Sequence, residues 1–253
     1  MRDSLYVRHI SLEEELPAGD YVRDLPVVRW LRDHPLELES PVTVLVGENG
    51  TGKSTLIEAV AVALGFNPEG GTKNFQFSTR ESHSSLHGAL CIHGKRFRDG
   101  FFFRAESFYN VATNIEEMDR IPSPSRKIIE SYGGVSLHHQ SHGESFMALV
   151  ENRFGGNGLY LLDEPEAALS PMRQMSLLCH IRRLVQKNSQ FIISTHSPIL
   201  MAYPDADIRQ ITADGMERVS LRETEHYQVM KSFLDSPERM LRYLLGEDGT
   251  DCL

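Results

Sequence analysis

The sequence has few cysteines and no apolar run long enough to cross a membrane. Its 253 residues include Cys91, Cys179 and Cys252, and this scattered, odd number argues against a disulfide framework and favours a reducing compartment. Apolar runs such as AVAVAL (59–64) are far shorter than the roughly 20 residues that a membrane-spanning helix needs. The acidic N-terminal stretch lacks the apolar core of a signal peptide, so we expect a cytoplasmic protein.

An excess of positive charge is also lacking. The chain has 26 lysines and arginines against 35 aspartates and glutamates, a formal net charge of −9, which excludes a generally basic nucleic-acid-binding surface. Two local basic patches, KRFR (95–98) and RR (182–183), keep a DNA contact open, although such runs are more often solvated surface. Sustained heptads are absent as well, so no coiled-coil arm is expected.

The strongest motif present is PVTVLVGENGTGKSTLIEAVAVAL (41–64). Its apolar start predicts a buried strand, and a helix is predicted from Lys53. The segment between them, 47–54, fits G-x-x-x-x-G-K-[ST] at every required position. Its glycines allow backbone N–H groups to surround phosphate oxygens, Lys53 can reach the β- and γ-phosphates, and the Ser54 hydroxyl suits Mg²⁺.

This phosphate loop, residues 47–54, therefore predicts a site for a nucleoside triphosphate, ATP, with Mg²⁺. The alternative is a glycine-rich turn that only joins a strand to a helix, and the Lys-Ser pair after a strand disfavours it. The predicted nucleotide-binding residues of this segment are Asn49, Gly50, Thr51, Gly52, Lys53, Ser54 and Thr55.

Two further strand ends carry polar residues. The segment GLYLLDEPEAALSP (158–171) delivers Asp163, suited to holding Mg²⁺, and Glu164, suited to polarising an attacking water. The segment QFIISTHSPIL (190–200) ends its apolar strand close to His196. Strand–helix–strand order implies parallel strands, whose carboxyl ends lie together. We therefore expect Asp163, Glu164 and His196 to meet the phosphate loop, with Glu164 and His196 as catalytic residues.

A helix is predicted between these two strands. Ser170 fits a helix N-cap and Pro171 the first helical position. The helical spacing then predicts that one apolar face packs on the core. The residues assigned to that face are Met175, Leu178, Ile181 and Val185.

The histidine-rich stretch HHQSHGESFMALV (138–150) admits three interpretations. A serine-hydrolase elbow needs G-x-S-x-G, and the second glycine is missing after Ser145. A metal site built on His138, His139 and His142 lacks a completing ligand. A turn that offers a hydroxyl and backbone N–H groups to an anion, in front of an apolar helix at 145–154, fits best.

The order of these motifs, phosphate loop, signature loop (140–144), carboxylate strand and switch histidine, resembles the ATP-binding-cassette (ABC) superfamily. The resemblance implies an α/β P-loop NTPase of ABC-ATPase type with an antiparallel β layer. A helical lobe at about 107–155 would interrupt a single domain, 1–253. It also implies a homodimer on ATP binding, in which Ser141, Gly143 and Glu144 serve the nucleotide of the other subunit.

The chain departs from the commonest ABC pattern. His142 stands where the signature usually has glycine, Glu144 where glutamine is frequent, and PEAALSP (165–171) where transporters often carry S-A-L-D. DEPEAALSP and FRAESF (103–108) resemble the soluble branch that includes RecF-like, SMC-like and OLD-type ATPases and small bacterial stand-alone ATPases. That branch implies DNA maintenance or phage defence, with DNA or a protein as partner and a membrane partner unlikely. The rivals are a transporter's nucleotide-binding subunit and a non-catalytic ATP switch.

The segment between the phosphate and signature loops predicts the β layer. Residues 86–108 alternate apolar and polar, with turn signals at Gly94 and at 99–100, and this pattern favours antiparallel strands. Zinc ligands are conceivable in the same region, although their spacing matches no common zinc pattern and only Cys91 and His93 share a strand face. The set considered is His83, His87, Cys91 and His93.

Some assignments stay open. The family expects a residue that senses Mg²⁺ and the attacking water, and Gln76 and Glu106 both remain candidates. Tyr21, Trp30 or Arg29 could stack on the adenine, and ordinary packing explains each equally well. A hairpin is predicted at 214–215 and amphipathic helices at 226–245, docking on the core.

Overall fold

A computed structural model describes residues 5–73, 84–122, 124 and 126–245 of the chain. Within these ranges two sheets and a set of helices form. The strands are β1 (Val7–Leu12), β2 (Leu36–Glu37), β3 (Val42–Gly47), β4 (Leu90–Gly94), β5 (Asp99–Arg104), β6 (Gly158–Asp163), β7 (Gln190–Ser194), β8 (Asp207–Thr212) and β9 (Gly215–Val219). The helices are α1 (Pro26–Asp33), α2 (Lys53–Ala63), α3 (Leu86–Ala89), α4 (Phe108–Arg120), α5 (His142–Asn152), α6 (Pro171–Gln186), α7 (Pro198–Met201), α8 (Glu225–Asp235) and α9 (Pro237–Leu244).

The larger sheet has the strand order β5-β6-β7-β3-β8-β9. The first five strands in this order run parallel, and β9 returns antiparallel to β8 through the predicted hairpin. Every residue of β3, β6 and β7 is buried, because helices and the second sheet cover both faces of this sheet. The predicted strands at 42–46, 159–162 and 191–194 are therefore confirmed, and their carboxyl ends share one edge.

The smaller sheet is antiparallel and has the order β2-β1-β4. It confirms the predicted antiparallel layer. In this sheet β4 pairs with β1, and β1 pairs with β2, so both other strands come from the N-terminal segment. The expected pairing of 99–104 within that layer is wrong, because β5 lies at the edge of the parallel sheet beside β6. The reason is burial, since Phe101, Phe102 and Phe103 are each at most 1% exposed, which a half-solvated antiparallel strand does not allow.

Helix α6 begins as predicted, with the Ser170 side chain accepting a hydrogen bond from the Arg173 amide and proline in its first turn. Three of the four predicted core residues, Leu178, Ile181 and Val185, pack on the core, but Met175 is 45% exposed and was wrongly assigned to that face. The buried apolar positions are Leu177, Ile181 and Leu184. Gln174 is buried in place of Met175, because its amide donates to the Leu169 carbonyl at 3.0 Å and its oxygen accepts from Ser197.

Helices α4 and α5, which lie between β5 and β6 in the chain within the predicted helical lobe, pack on the parallel sheet through aromatic rings. The Phe103 ring, on β5, lies 4.1 Å from the Phe146 ring on α5 and 5.1 Å from the Phe108 ring on α4. By contrast, α8 and α9 have no fully buried residue, so the expected docking of the C-terminal helices is shallow. Among the described helices, none combines the length and apolarity that crossing a bilayer requires.

Replacing Phe103 by alanine should lower the free energy of unfolding by about 3–5 kcal/mol, because it leaves a cavity where sheet and lobe meet. Urea denaturation followed by circular dichroism measures the change. Met175→Ala is the matched control, and since that side chain is 45% exposed its effect should stay within about 0.5 kcal/mol. Equal effects of the two substitutions would contradict this packing.

Candidate active site

The phosphate loop follows β3 and depends on two glycines. Gly47 has φ 145°, and a Cβ there would lie 2.3 Å from the Ile211 carbonyl oxygen of β8. Gly52 has φ 95°, and a Cβ there would lie 2.5 Å from a Val27 methyl of α1. Since a side chain at either position would be both strained and blocked, this loop geometry needs glycine at these places.

Lys53 is the first residue of α2 and its side chain is folded into the loop. It is 4% exposed, and its Nζ donates to the carbonyls of Gly47 at 2.7 Å and Glu48 at 2.9 Å. Burial lowers the pKa of the Lys53 ammonium, while the charges of Glu164 and Asp163 oppose that effect. The lysine therefore lies within electrostatic reach of both carboxylates.

Ser54 and Asp163 meet across the edge of the sheet. The Ser54 hydroxyl donates to an Asp163 carboxylate oxygen at 2.9 Å. Asp163 is 4% exposed, and burial raises the pKa of its carboxyl to about 6. A hydroxyl beside a carboxylate is an all-oxygen donor set of the kind that Mg²⁺ binds, and a cation there would offset the cost of burying the charge. These two residues fit the expected metal.

Arg104, at the end of β5, is a site residue that the sequence did not reveal. Its Nη1 pairs closely with Glu58 on α2, and its Nε lies 3.8 Å from Asp163 and 3.7 Å from Glu106. An arginine in a strand is more often surface than site, so only the parallel pairing of β5 with β6 identifies it. Arg104 therefore connects α2, the helix that follows the phosphate loop, to Asp163, the carboxylate that fits Mg²⁺.

Glu164 has an unusual backbone. Its φ of 49° and ψ of 50° place it in the left-handed region, which costs a non-glycine residue of order 1–3 kcal/mol. Its amide donates to the Ser194 carbonyl at 2.9 Å, which ties it to the end of β7. The side chain is 38% exposed and therefore accessible, as a group that activates water must be.

His196 lies beside Glu164, with 3.8 Å between its Nε2 and a Glu164 carboxylate oxygen. Burial, with Lys53 and His226 nearby, lowers the pKa of the His196 imidazole to about 4, so the ring is neutral at pH 7. Its backbone N–H donates to Glu166 at 2.6 Å. Burial also raises the pKa of the Glu166 carboxyl.

His226, on α8, is a second contact that the sequence did not reveal. Its Nε2 lies 2.8 Å from Nδ1 of His196. A neutral imidazole carries one N–H, so one ring donates to the other. If His226 donates, the proton of His196 stays on Nε2, the atom nearest Glu164, which has no hydrogen-bond partner among the described residues. No sequence motif marks His226, because α8 comes from the C-terminal segment.

The signature-loop residues lie apart from this group. Ser141 caps α5 in a capping box with Glu144, whose carboxylate accepts from the Ser141 hydroxyl at 2.7 Å. Arg173 of α6 donates to Ser141 at 3.3 Å and pairs with Glu144 at 3.3 Å. Gly143 is packed tightly, since a Cβ there would lie 2.4 Å from Arg173 Nη1. Ser141 and Glu144 thus face solvent and α6, and no contact joins them to the phosphate loop within the described residues.

The other interpretations of the histidine-rich stretch find no support. Ser145 is 3% exposed and its hydroxyl donates to the Leu137 carbonyl at 2.7 Å, so it is not an available nucleophile. His138 contacts the Thr113 hydroxyl at 3.1 Å and packs edge-on against Tyr109. These are packing contacts within the helical lobe.

Two assignments were left open by the sequence, the residue that senses Mg²⁺ and water and the residue that stacks on adenine. Gln76 lies outside the described residues, and the Glu106 side chain is 81% exposed. Trp30 stacks on His34, with 5.3 Å between ring centroids, and Arg29 donates to the Ala213 carbonyl at 3.2 Å. Both are engaged in packing, whereas Tyr21 is 69% exposed.

The fold and this group of residues define a P-loop NTPase. Two protein-family models match the chain, one described as an AAA domain over residues 27–120 and one as an AAA ATPase domain over residues 143–201. The first segment contains the phosphate loop. The second contains nearly all of α5, the whole of β6 with Asp163, and His196.

Several known proteins are similar to the chain. The cobalt import ATP-binding protein CbiO of Salmonella paratyphi A is 28% identical over 210 residues, which cover 76% of this chain and 74% of that protein. The macrolide export ATP-binding/permease protein MacB of Neisseria meningitidis serogroup B is 24% identical over 196 residues, 69% of this chain and 29% of MacB.

Two solved structures share the fold. One, an inward-facing putative metal-chelate type ABC transporter, gives a TM-score of 0.50 at 14% identity and covers 89% of this chain and 88% of that one. The other, an ATP-binding cassette of an ABC transporter, gives 0.50 at 16% identity and covers 94% and 99%. The two AAA family matches and the similarity to ABC ATP-binding proteins indicate an ATPase of the ABC type, an enzyme that hydrolyses ATP.

We expect His226→Gln to lower kcat about tenfold, equivalent to about 1.4 kcal/mol, with little change in KM, because His226 positions His196 without touching the phosphate loop. A steady-state ATPase assay measures both constants, and ¹⁵N NMR of the imidazoles reports the tautomer of His196.

The matched control is Val229→Ala on the same helix, where the side chain is 58% exposed and far less should change. A wild-type kcat in His226→Gln, together with an unaltered His196 tautomer, would show that the histidine pair has no role in positioning.

Proposed function

We propose that this chain hydrolyses ATP with Mg²⁺ in a head-to-tail homodimer that closes on ATP and opens after hydrolysis. One observation carries the proposal. The ends of β3, β6 and β7 bring Lys53, Ser54, Asp163, Glu164 and His196 to one edge of the sheet, whereas no contact among the described residues joins the signature loop to this group. Such a division of residues needs a second copy to complete the site.

Each residue of the assembled group has a distinct role in this proposal. The backbone and side chains from Asn49 to Thr55 hold the triphosphate, with Lys53 on the β- and γ-phosphates. The Ser54 hydroxyl and the Asp163 carboxylate would hold Mg²⁺, which would supply neutralisation of the phosphate charge. Arg104 keeps Asp163 in place from the opposite side, 3.8 Å away.

Glu164 and His196 perform the water chemistry. Glu164 accepts a proton from the attacking water, and its strained backbone fixes the direction of the carboxylate. The Nε2–H of His196 donates a hydrogen bond to a γ-phosphate oxygen and keeps its proton, as the neutral ring and the His226 contact allow. Stabilising charge that develops in the transition state is the larger part of phosphoryl-transfer catalysis.

The signature residues act on the nucleotide of the partner. Ser141 is exposed at the N-terminus of α5, an 11-residue helix whose first amides attract anions. Glu144 would repel a phosphate, but Arg173 compensates its charge. Because Gly143 has no side chain, the start of α5 can pack closely against Arg173 of α6. Ser141 and the amide of Gly143 can then approach the γ-phosphate together.

The loop from Glu166 to Ser170 connects the two halves of the site. At one end, Glu166 accepts from the backbone of His196. At the other end, Ser170 begins α6, which carries Arg173 to Ser141. A movement of His196 or of the signature loop is therefore transmitted to the other through this short loop. This connection supports coupling between the two nucleotide sites of a dimer.

Glu164→Gln should retain ATP binding but hydrolyse ATP at least about 100-fold more slowly, because the amide cannot accept the proton of water. With ATP and Mg²⁺ this variant should accumulate as a dimer in multi-angle light scattering. Wild type with ADP is the control and should remain monomeric. A monomer under all of these conditions would contradict closure by ATP.

Two processes compete as the target of this cycle. DNA maintenance or phage defence is supported by the DEPEAALSP segment and its resemblance to soluble RecF-like, SMC-like and OLD-type ATPases. A nucleotide-binding subunit of a membrane transporter is supported by the similarity to CbiO over most of both chains. Because these relatives are transporter ATP-binding proteins, the expectation that a membrane partner is unlikely is not supported.

The two targets predict different stimulation of the ATPase. DNA maintenance predicts that duplex or single-stranded DNA raises kcat several-fold, and that charge reversal at Lys95 and Arg96 removes the effect. A transporter subunit predicts no response to DNA and co-purification with an integral membrane protein from the native host. Arg182→Glu tests the second basic patch, the other candidate DNA contact, in the same way.

A further inference from the structure

A cluster of possible metal ligands lies on the smaller sheet, outside the ATP site. A carboxylate oxygen of Glu13, the thiol of Cys91 and a ring nitrogen of His93 all lie within 4.8 Å of one another. None of these three residues has a role in the nucleotide chemistry described above.

Strand pairing explains why these residues meet. In the register of β1 with β4, Ser11 is opposite Cys91 and His9 is opposite His93. Side chains two apart share a face, so Cys91 and His93 project together. Glu13 extends β1 by one residue, and its amide donates to the Ala89 carbonyl at 2.9 Å, which holds it beside them.

The distances are close to those of a coordinated ion. The Cys91 sulfur lies 3.4 Å from Nε2 of His93, and that nitrogen lies 4.0 Å from Glu13 Oε1. Tetrahedral zinc with ordinary bond lengths separates sulfur from nitrogen by about 3.6 Å and nitrogen from oxygen by about 3.4 Å. Half an ångström of side-chain rotation, roughly, converts one arrangement into the other.

We propose that Glu13, Cys91 and His93 bind one divalent transition-metal ion of zinc type, with the fourth position open to water. The donor set of thiolate, imidazole and carboxylate selects zinc-like ions and disfavours Mg²⁺, which prefers oxygen donors. The oxygen-only pair Ser54 and Asp163 has the opposite preference. The two sites can therefore be loaded independently.

A neighbouring pair supports the cluster. His9 lies edge-on to His93, with 5.2 Å between ring centroids, and its Nδ1 bonds to Glu37 at 2.7 Å. Such a pair restricts the orientation of the His93 ring and adds negative charge near the ion, as outer groups do in metal sites. The ion would cross-link the end of β1 to β4 and so stabilise the smaller sheet.

This site differs from the zinc ligands considered from the sequence. His83 lies outside the described residues, and His87 bonds to the Ser84 carbonyl at 2.8 Å instead of joining the cluster. The third ligand, Glu13, follows β1 and is far in sequence from Cys91 and His93. A search for local ligand spacing in the sequence therefore could not identify it.

The test is metal binding by the full chain after removal of metals with a chelator, in excess Mg²⁺ and without nucleotide. Zn²⁺ is titrated in competition with a chromophoric chelator, and Co²⁺ absorption reports thiolate coordination. We expect one tight equivalent, a thiolate-to-cobalt charge-transfer band and a zinc-dependent rise in Tm.

Cys91→Ser should abolish the charge-transfer band and weaken Zn²⁺ binding at least about tenfold, and His93→Gln should weaken it similarly. Cys179→Ser is the matched control, because Cys179 is an exposed thiol on α6, and it should bind like wild type. The ATPase activity of all three variants should equal that of wild type, which separates this site from the nucleotide chemistry and confirms folding.

Absence of tight Zn²⁺ binding to wild type would overturn the proposal. So would unaltered binding in both Cys91→Ser and His93→Gln, or loss of the cobalt band in Cys179→Ser alone. Since the readout is metal binding itself, failure here leaves the proposed ATPase cycle intact.

Discussion

The hydrogen bond between the Ser54 hydroxyl and the Asp163 carboxylate is the contact on which the rest of the site depends. It spans 2.9 Å and joins α2 to the end of β6, although β7 lies between β6 and β3 in the sheet. Because both strands end at this edge, the same contact fixes where Lys53 and Glu164 stand relative to each other. A shift of the sheet register by one residue would turn Asp163 to the opposite face and dismantle the magnesium-type pair.

Charge balance explains the groups that surround this contact. Asp163, Glu164 and Glu166 lie near one buried lysine, and burial, with the charge of Glu164, raises the pKa values of Asp163 and Glu166. Arg104 supplies a second positive charge from β5. A triphosphate with Mg²⁺ would contribute both signs of charge to this group. The neutral His196 adds a hydrogen-bond donor without adding charge, which is the property needed next to Glu164.

Sequence reasoning succeeded where the chemistry is local and failed where it depends on distant pairing. The phosphate loop and the strands ending at Asp163 and Ser194 were predictable because spacing and apolar runs define them. The placement of β5 was missed because its apolar run, residues 101–103, stands inside a longer stretch, 86–108, that otherwise alternates like an antiparallel layer. Met175 was misassigned because a polar residue, Gln174, takes the buried position beside it. Arg104 and His226 were invisible, since each reaches the site from an element far away in the chain.

The central claim is that each nucleotide site is shared by two chains, and complementation between two inactive variants tests it most directly. Lys53→Ala and Ser141→Ala should each abolish most ATPase activity alone. In an equimolar mixture, half of the dimers pair one variant with the other and hold one intact site of two, so about a quarter of wild-type activity should return. If mixing restores nothing while both variants remain folded and bind each other, Lys53 and Ser141 serve the same chain and the shared site is contradicted.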